Sequence, residues 1–440
     1  MRDPSTRRGL GALIIGRGAS SIGAQVTFLC LPAAVVAVPG SSNALVAVFE
    51  GMTVLGFVVF AIPAGVIADR LRPHSVLLTC DLGRALCMLA AGWGFASAAR
   101  SAETFPLVVA AVAVAVASVL GTQNDASIQR LIVDYGRDSR DKRAWLNSWL
   151  HGLGSTAQLV GPAVAGLLVA TAGAALGLVL HAGTFVVSAL ALLFGWQWLR
   201  SVSTPAPAPD GSKVGEQLDD AVRSGWSYAL EGFRIIRSHR LLAASTASIA
   251  MANLFSGVYG ATYVVFVLRE LKLGGEGLAV LGVSMAGGAL LGASLTSRVV
   301  RLRGPIAVLT LAPFGYGLLM IVAAAPVGNL WLPAGAVFGY AIVSAMSAIA
   351  YVTFRQEAAA QSAAGRVAAA SRAITGGVFS LSAMGAVLLL TLLPARGVVW
   401  IAVLGETASV AILVLAGGLT HLQKPRDAGR SLRVKSGGEG

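Results

Sequence analysis

The chain has 440 residues, of which 56% are hydrophobic and 12% charged, with a mean hydropathy of +0.76. A soluble domain carries roughly twice that share of charge, so the composition excludes one and points to repeated membrane spans. The formal charge of +13 would suit nucleic acid, but its placement along the chain assigns it to orientation and to anionic lipid, and no nucleic-acid partner is expected.

Apolar windows of about 20 residues, each long enough to cross ~30 Å of hydrocarbon, fall at twelve places: 10–38, 44–68, 74–98, 105–131, 145–171, 174–198, 241–267, 277–298, 305–325, 329–352, 373–394 and 397–419. With the N-terminus inside, 27 of the 33 Lys and Arg lie in cytoplasmic segments. Only Arg100, Arg269, Lys272 and Arg396 lie outside, and Arg17 and Arg84 sit within spans. That asymmetry fixes the orientation and the parity of the span count, with both termini cytoplasmic.

The predicted fold is therefore an all-α membrane protein with twelve transmembrane helices in two six-helix bundles, 1–199 and 241–420. A cytoplasmic linker, 200–240, joins the bundles, and a basic disordered tail, 421–440, follows. The opening Met1–Arg8 resembles a signal-peptide start, but the following apolar run exceeds the usual signal core and reads as an uncleaved first span. Cys30, Cys80 and Cys87 fall inside spans 1 and 3 and read as packing residues. In the linker, Ser201–Gly211 is rich in Pro and Ala. After it Leu218, Val222, Trp226, Leu230, Phe233 and Ile236 recur at helical spacing. They predict an amphipathic helix, on the membrane surface or packed on cytoplasmic loops, with Leu218, Val222, Trp226 and Phe233 buried.

Ionisable residues inside a membrane are costly and usually functional. With ~1.5 Å of rise per residue, Arg17, Asp81, Asp125 and His151 all lie roughly 10 Å from the cytoplasmic face, and Arg84 about one turn deeper. Two Arg and two Asp at similar depth predict one neutral cluster. Asp125 sits beside Gln123 and Asn124, and a carboxylate at that depth is expected to lose solvent. Arg17 reads as its partner or as a contact for an anionic substrate. His151 reads as a titrating group or a packing histidine. Glu50, near the outer end of span 2, is an exposed rim residue or a proton carrier. Glu406 is the deepest acid of the second half. Asn253 in span 7 is a polar lining residue or a packing one, and His181 a packing one.

A weak repeat links the halves. Gly65-Val66-Ile67-Ala68-Asp69-Arg70-Leu71-Arg72 follows span 2, and Gly292-Ala293-Ser294-Leu295-Thr296-Ser297-Arg298 follows span 8. Arg143 before span 5 likewise matches Arg366 before span 11. Parallel six-span repeats are a signature of secondary transporters.

The segment Gly65-x-x-x-Asp69-Arg70-x-Arg72 resembles the loop 2–3 motif of the major facilitator superfamily. In finer texture the chain is similar to the branch that holds the enterobactin exporter and macrolide efflux pumps. That likeness rests on Asp81-Leu82-Gly83-Arg84-Ala85-Leu86, Gly161-Pro162-Ala163-Val164-Ala165-Gly166, Glu231-Gly232-Phe233-Arg234 and Gly365-Arg366-Val367. The resemblance implies an inner gate built on Gly65, Asp69, Arg70 and Arg72, with Gly65 allowing close helix approach. It implies an antiporter-like motif at Gly161, Pro162 and Gly166, in which Pro162 kinks the helix. It also implies a cavity lined by spans 1, 2, 4, 5, 7, 8, 10 and 11. Asn124, His151 and Asn253 then become cavity residues, and Asp125, Glu50 and Asp81 candidates for proton coupling. Arg17 and Arg84 are their charge partners. Asp81 and Arg84, on peripheral span 3, also read as structural, and Glu406 on span 12 as making a structural hydrogen bond. The pattern departs from many relatives in one place: Gly23 is followed by Ala24 and Gln25 rather than an acid, which counts against coupling through span 1.

No phosphate-binding loop, nucleophile elbow or metal-ligand spacing is present. The expectation is thus a transporter and not an enzyme, without cofactor or metal. It would be a monomer in the cell inner (plasma) membrane, with protons and a small amphipathic substrate as partners. Export of a drug, siderophore or secondary metabolite is the leading reading. Import, lipid flipping, or a transport-inactive scaffold or sensor are the alternatives.

Overall fold

The computed structural model describes residues 4–101, 103–135, 140–202, 230–358 and 364–416, with some side chains inside those helices left aside. Every long element is helical: α1 (Pro4–Val36), α2 (Asn43–Arg70), α3 (Pro73–Ser101), α4 (Thr104–Tyr135), α5 (Arg140–Thr171) and α6 (Ala174–Phe194), then the short α7 (Trp196–Val202). Residues 230–238 form α8. Then come α9 (Arg240–Val265), prolonged by a π-helical turn at Phe266–Glu270, α10 (Gly274–Arg303), α11 (Pro305–Ala324), α12 (Trp331–Ala358), α13 (Ala364–Leu392) and α14 (Ala395–Leu415). Helices are what an apolar chain must form in lipid, since each satisfies its own backbone groups. Among the described residues ten of them, α1, α3–α6, α9–α12 and α14, are long and apolar enough to cross a membrane. Their outward faces carry exposed Leu86, Trp93, Val112, Leu190 and Leu290, as lipid-facing surfaces require.

The chain divides into two compact units. The first comprises Met1–Val214, Tyr263–Ala286 and Val387–Ala395; the second comprises Gly215–Thr262, Gly287–Ala386 and Arg396–Gly440. One division falls at 214/215, within the expected 200–240 linker, and others cut through α9, α10 and α13. In the first unit α1 packs on α6 and α5, α2 on α4, and α3 on α4 and α6. Its core includes Leu10, Leu13, Leu77, Leu131, Leu146 and Leu199. In the second, Leu242, Ile306, Phe354 and Val367 form a core into which α8 inserts Ile236. One detail differs from the sequence reading. The stripe residues Leu218, Val222 and Trp226 lie outside the described residues, as does the 421–440 tail, while Phe233 is 48% exposed. Docking of α8 is made at its last turn by Ile236. Pro162 lies inside α5, which runs from Arg140 to Thr171.

Glycine governs how closely these helices meet. A Cβ on Gly56 of α2 would strike the Ser118 backbone of α4, and one on Gly23 of α1 would strike His181 and Thr184 of α6.

Candidate functional site

The densest polar group among the described residues lies in the first unit, at the meeting of α1, α3, α4 and α6. It begins on α4, where the sequence Gln123-Asn124-Asp125 interrupts an otherwise apolar helix. Successive helical residues point about 100° apart, so these three face different surroundings. Asn124 is 1% exposed. Its Oδ1 accepts a hydrogen bond from Arg17 Nη1 of α1 at 2.7 Å, and its Nδ2 donates to Asp81 Oδ1 of α3 at 3.0 Å. The other Asp81 oxygen accepts from Ser188 Oγ of α6 at 2.6 Å. Arg17 Nη2 pairs with Asp125 Oδ1 at 3.1 Å. Arg84, on the same face of α3 as Asp81, places its guanidinium 4.1 Å above the Phe185 ring. That guanidinium lies against Gly121 of α4 and stands close enough to Asp81 and Asp125 to interact with both.

The two Arg and two Asp are therefore brought together, but the two acids differ. Asp81 is 2% exposed, whereas the Asp125 side chain is 72% exposed. The expectation that Asp125 loses its solvent is corrected here: the rotation that turns Asn124 into the packing turns Asp125 out of it. The buried acid is Asp81, held by two donors, as a carboxylate taken out of water must be. The sequence reading missed Ser188 and Phe185. A single serine in the run Ser188-Ala189-Leu190-Ala191-Leu192 is a faint signal of a polar partner, and nothing along the chain marks Phe185.

His181 packs its ring 4.3 Å from Phe185 and shares a 2.6 Å hydrogen bond between Nδ1 and Thr27 Oγ1. Glu50 is buried, at 8% exposure, so it is not a rim residue. Asn253 Nδ2 donates to the Thr375 carbonyl. The side chains of Asp69, Arg70 and His151 lie outside the described set. Arg72 is exposed just beyond α2. At Gly65 no described atom lies within 4 Å of where its Cβ would stand. Gly161 and Gly166 do meet close neighbours: a Cβ at Gly161 would strike Gln25 of α1, and one at Gly166 the backbone of Ala279.

Arg269, on the π-helical turn, donates to Asn43 Oδ1, the Ser41 carbonyl and Ser41 Oγ at 2.5, 2.6 and 2.7 Å. In the second unit, Glu406 of α14 is 2% exposed and accepts from Tyr340 of α12 at 3.1 Å. Among the described residues no group of three or more His, Cys, Asp or Glu is disposed to hold a metal.

Residues 13–383 match the sequence profile of the Major Facilitator Superfamily. The chain belongs to that superfamily. No curated protein matches it. Solved transporters of the superfamily's shape extend the likeness to nearly the whole chain. A bacterial homologue of the iron transporter ferroportin, in its inward-facing state, superposes with a TM-score of 0.70 at 15% identity, over 93% of this chain and 98% of that one. The nucleoside transporter NupG gives 0.64 at 12%, over 93% and 99%. The peptide transporter POT, in complex with sulfate, gives 0.64 at 10%, over 94% of each. At such identities the likeness is one of fold. Membership of the superfamily, with the ten long apolar helices among the described residues, makes the chain a multi-pass membrane protein of transporter type.

Proposed function

We propose that this facilitator is a twelve-span secondary transporter of the inner (plasma) membrane, with both termini cytoplasmic, that exports a small amphipathic organic compound in exchange for protons. The observation that carries the reading is the buried chain Ser188–Asp81–Asn124–Arg17, with Asp125 bound to the same arginine on its open side. Charge inside a membrane is expensive to maintain, and this arrangement keeps one carboxylate fixed and another accessible. In the proposal Asp125 exchanges the proton. Arg17 is released from it when it is neutral, and the changed pairing biases alternating access. Asp81 holds Asn124, and through it Arg17, in place; Arg84 balances the charge of the two acids, and Glu50 is the acid to test next. The direction rests on Gly161-Pro162-x-x-x-Gly166 and on the likeness to the enterobactin-exporter and macrolide-efflux branch. Asp69, with Arg70 and Arg72, is proposed to secure the cytoplasmic gate between the halves 1–199 and 241–420.

The test is uptake of a panel of amphipathic compounds into inverted vesicles under an imposed pH gradient. Accumulation that collapses with a protonophore and is lost in Asp125→Asn supports the reading. Accumulation only in right-side-out vesicles would make the protein an importer. Bidirectional movement indifferent to the gradient, or none in either vesicle type, would refute proton-driven export.

A further inference from the structure

The second unit holds a buried acid of a different construction. Asp81 has a donor on each oxygen and two arginines near it. Glu406 has Tyr340 on Oε1 at 3.1 Å, while its Oε2 is buried with no hydrogen-bond partner. The titratable groups facing it are the phenols of Tyr340 on α12 and Tyr316 on α11, and among the described residues no cation is paired with it. The Tyr340 hydroxyl in turn lies 3.4 Å from Ser256 Oγ on α9, and the Tyr316 and Tyr259 rings stand 6.0 and 6.5 Å from the Tyr340 ring. Beside this group Tyr316, Ser245, Ser248 and Ser409 help line a cavity of about 10 Å³, room for one water, and Ser409 Oγ donates to the Glu406 carbonyl. A buried polar atom left without a partner in a native fold calls for an explanation.

We infer that Glu406 is a second proton-binding site of this carrier, and that Tyr340 relays its occupancy from α14 to α9. The step is an O–H bond formed at Oε2 as an O–H bond of solvent hydronium breaks and leaves water. No donor has to leave that oxygen, and no electrons move. With Glu406 ionised, Tyr340 donates to a charged acceptor, the stronger kind of hydrogen bond, and accepts from Ser256. With Glu406 protonated, Oε1 is a carbonyl oxygen and a weaker acceptor. The single Tyr340 proton then turns to Ser256, so the tie between α12 and α14 slackens as that between α12 and α9 tightens. The consequence for transport rests on the proton-driven reading; the proton site itself does not.

The experiment is infrared difference spectroscopy of the purified protein in lipid across a pH titration, which needs neither substrate nor transport. Wild type is expected to show a protonated-carboxyl stretch that titrates, absent in Glu406→Gln, retained in Asp125→Asn, and moved in frequency but retained in Tyr340→Phe. A titrating band that survives Glu406→Gln unchanged, or no such band in wild type, would overturn the site. A band indifferent to Tyr340→Phe would overturn the relay. Should Glu406→Gln fail to fold, the Tyr340→Phe frequency shift, read against isotope-labelled glutamate, decides the assignment. A positive spectrum alongside failed vesicle uptake would separate this inference from the proposed transport.

Discussion

Asn124 is where the first-unit network is most exposed to refutation. Replacing it by alanine removes two charge-assisted hydrogen bonds at once, one to Arg17 at 2.7 Å and one to Asp81 at 3.0 Å. Such bonds are worth about 1.5–3 kcal/mol each in soluble proteins, but polar pairs within membranes average ~0.6 and reach ~1.7 kcal/mol. Two bonds to charged partners, one of them 2% exposed, place Asn124→Ala in the upper part of that membrane range, at about 2–3 kcal/mol. The unfolding equilibrium should shift roughly 30- to 150-fold, measured by reversible unfolding in mixed lipid–detergent micelles. Ser188→Ala removes one donor and should cost about half as much. Asn124→Asp is the sharper probe. It keeps an acceptor for Arg17 but sets two carboxylate oxygens where a donor and acceptor now stand 3.0 Å apart. At an effective dielectric near 20 the repulsion is about 5 kcal/mol before the arginines offset part of it. Asn124→Asp should therefore be less stable than Asn124→Ala at neutral pH and recover in acid. An alanine variant within ~0.5 kcal/mol of wild type, or an aspartate variant more stable than it at neutral pH, would show that Asn124 does not join the two charges.

Asp125→Asn should abolish gradient-driven accumulation while leaving substrate binding, read by equilibrium titration, within about tenfold, or ~1.4 kcal/mol. The Arg17→Ala/Asp125→Asn double variant should be less impaired in vesicle uptake than the two single losses added together, and strict additivity would deny the pairing. Asp69→Asn should express normally but lose transport and shift cysteine-accessibility labelling at the cytoplasmic side; unchanged labelling with normal transport would remove the gate. Gly56→Val should lower thermal stability by about 1–3 kcal/mol, because its side chain meets the Ser118 backbone and one of the two helices must move; an unchanged melting temperature would mean that the helices are not in contact there.

The helices were legible because crossing hydrocarbon imposes a length and a composition that few soluble segments share. Their observed ends run past the apolar windows at the starts of α5 and α13 and the end of α12, since those terminal turns carry charged residues that lower the hydropathy signal. The meeting of Arg17, Asp81, Arg84 and Asp125 followed from depth, which rise per residue supplies. What depth does not supply is rotation. A helix that is apolar all round carries no amphipathic stripe to say which face turns inward, and so Asn124 as the link, Ser188 as the donor and the openness of Asp125 emerge only in three dimensions. The threefold hydrogen bonding of Arg269 was hidden for another reason. It joins residues 226 and more positions apart in sequence, and the π-helical turn that aims it leaves no mark in the residue pattern.

Ser118 of α4 gives α2 a property that its length conceals. Its Oγ accepts from the backbone N–H of Gly56 at 2.9 Å and donates to the Thr53 carbonyl at 2.6 Å, so a neighbour's hydroxyl shares backbone groups that otherwise serve only the helix's own ladder. A side chain inserted there is a recognised cause of bending, and Gly56 contributes no side chain to resist it. Yet α2 runs on as one helix from Asn43 to Arg70, so the hydroxyl acts as a mid-span tether to α4. On one side of it lies the half that Ser42 caps and that carries Glu50; on the other lies the half that ends in Asp69 and Arg70. A displacement at either end of α2 is referred to α4 through residues 53 and 56.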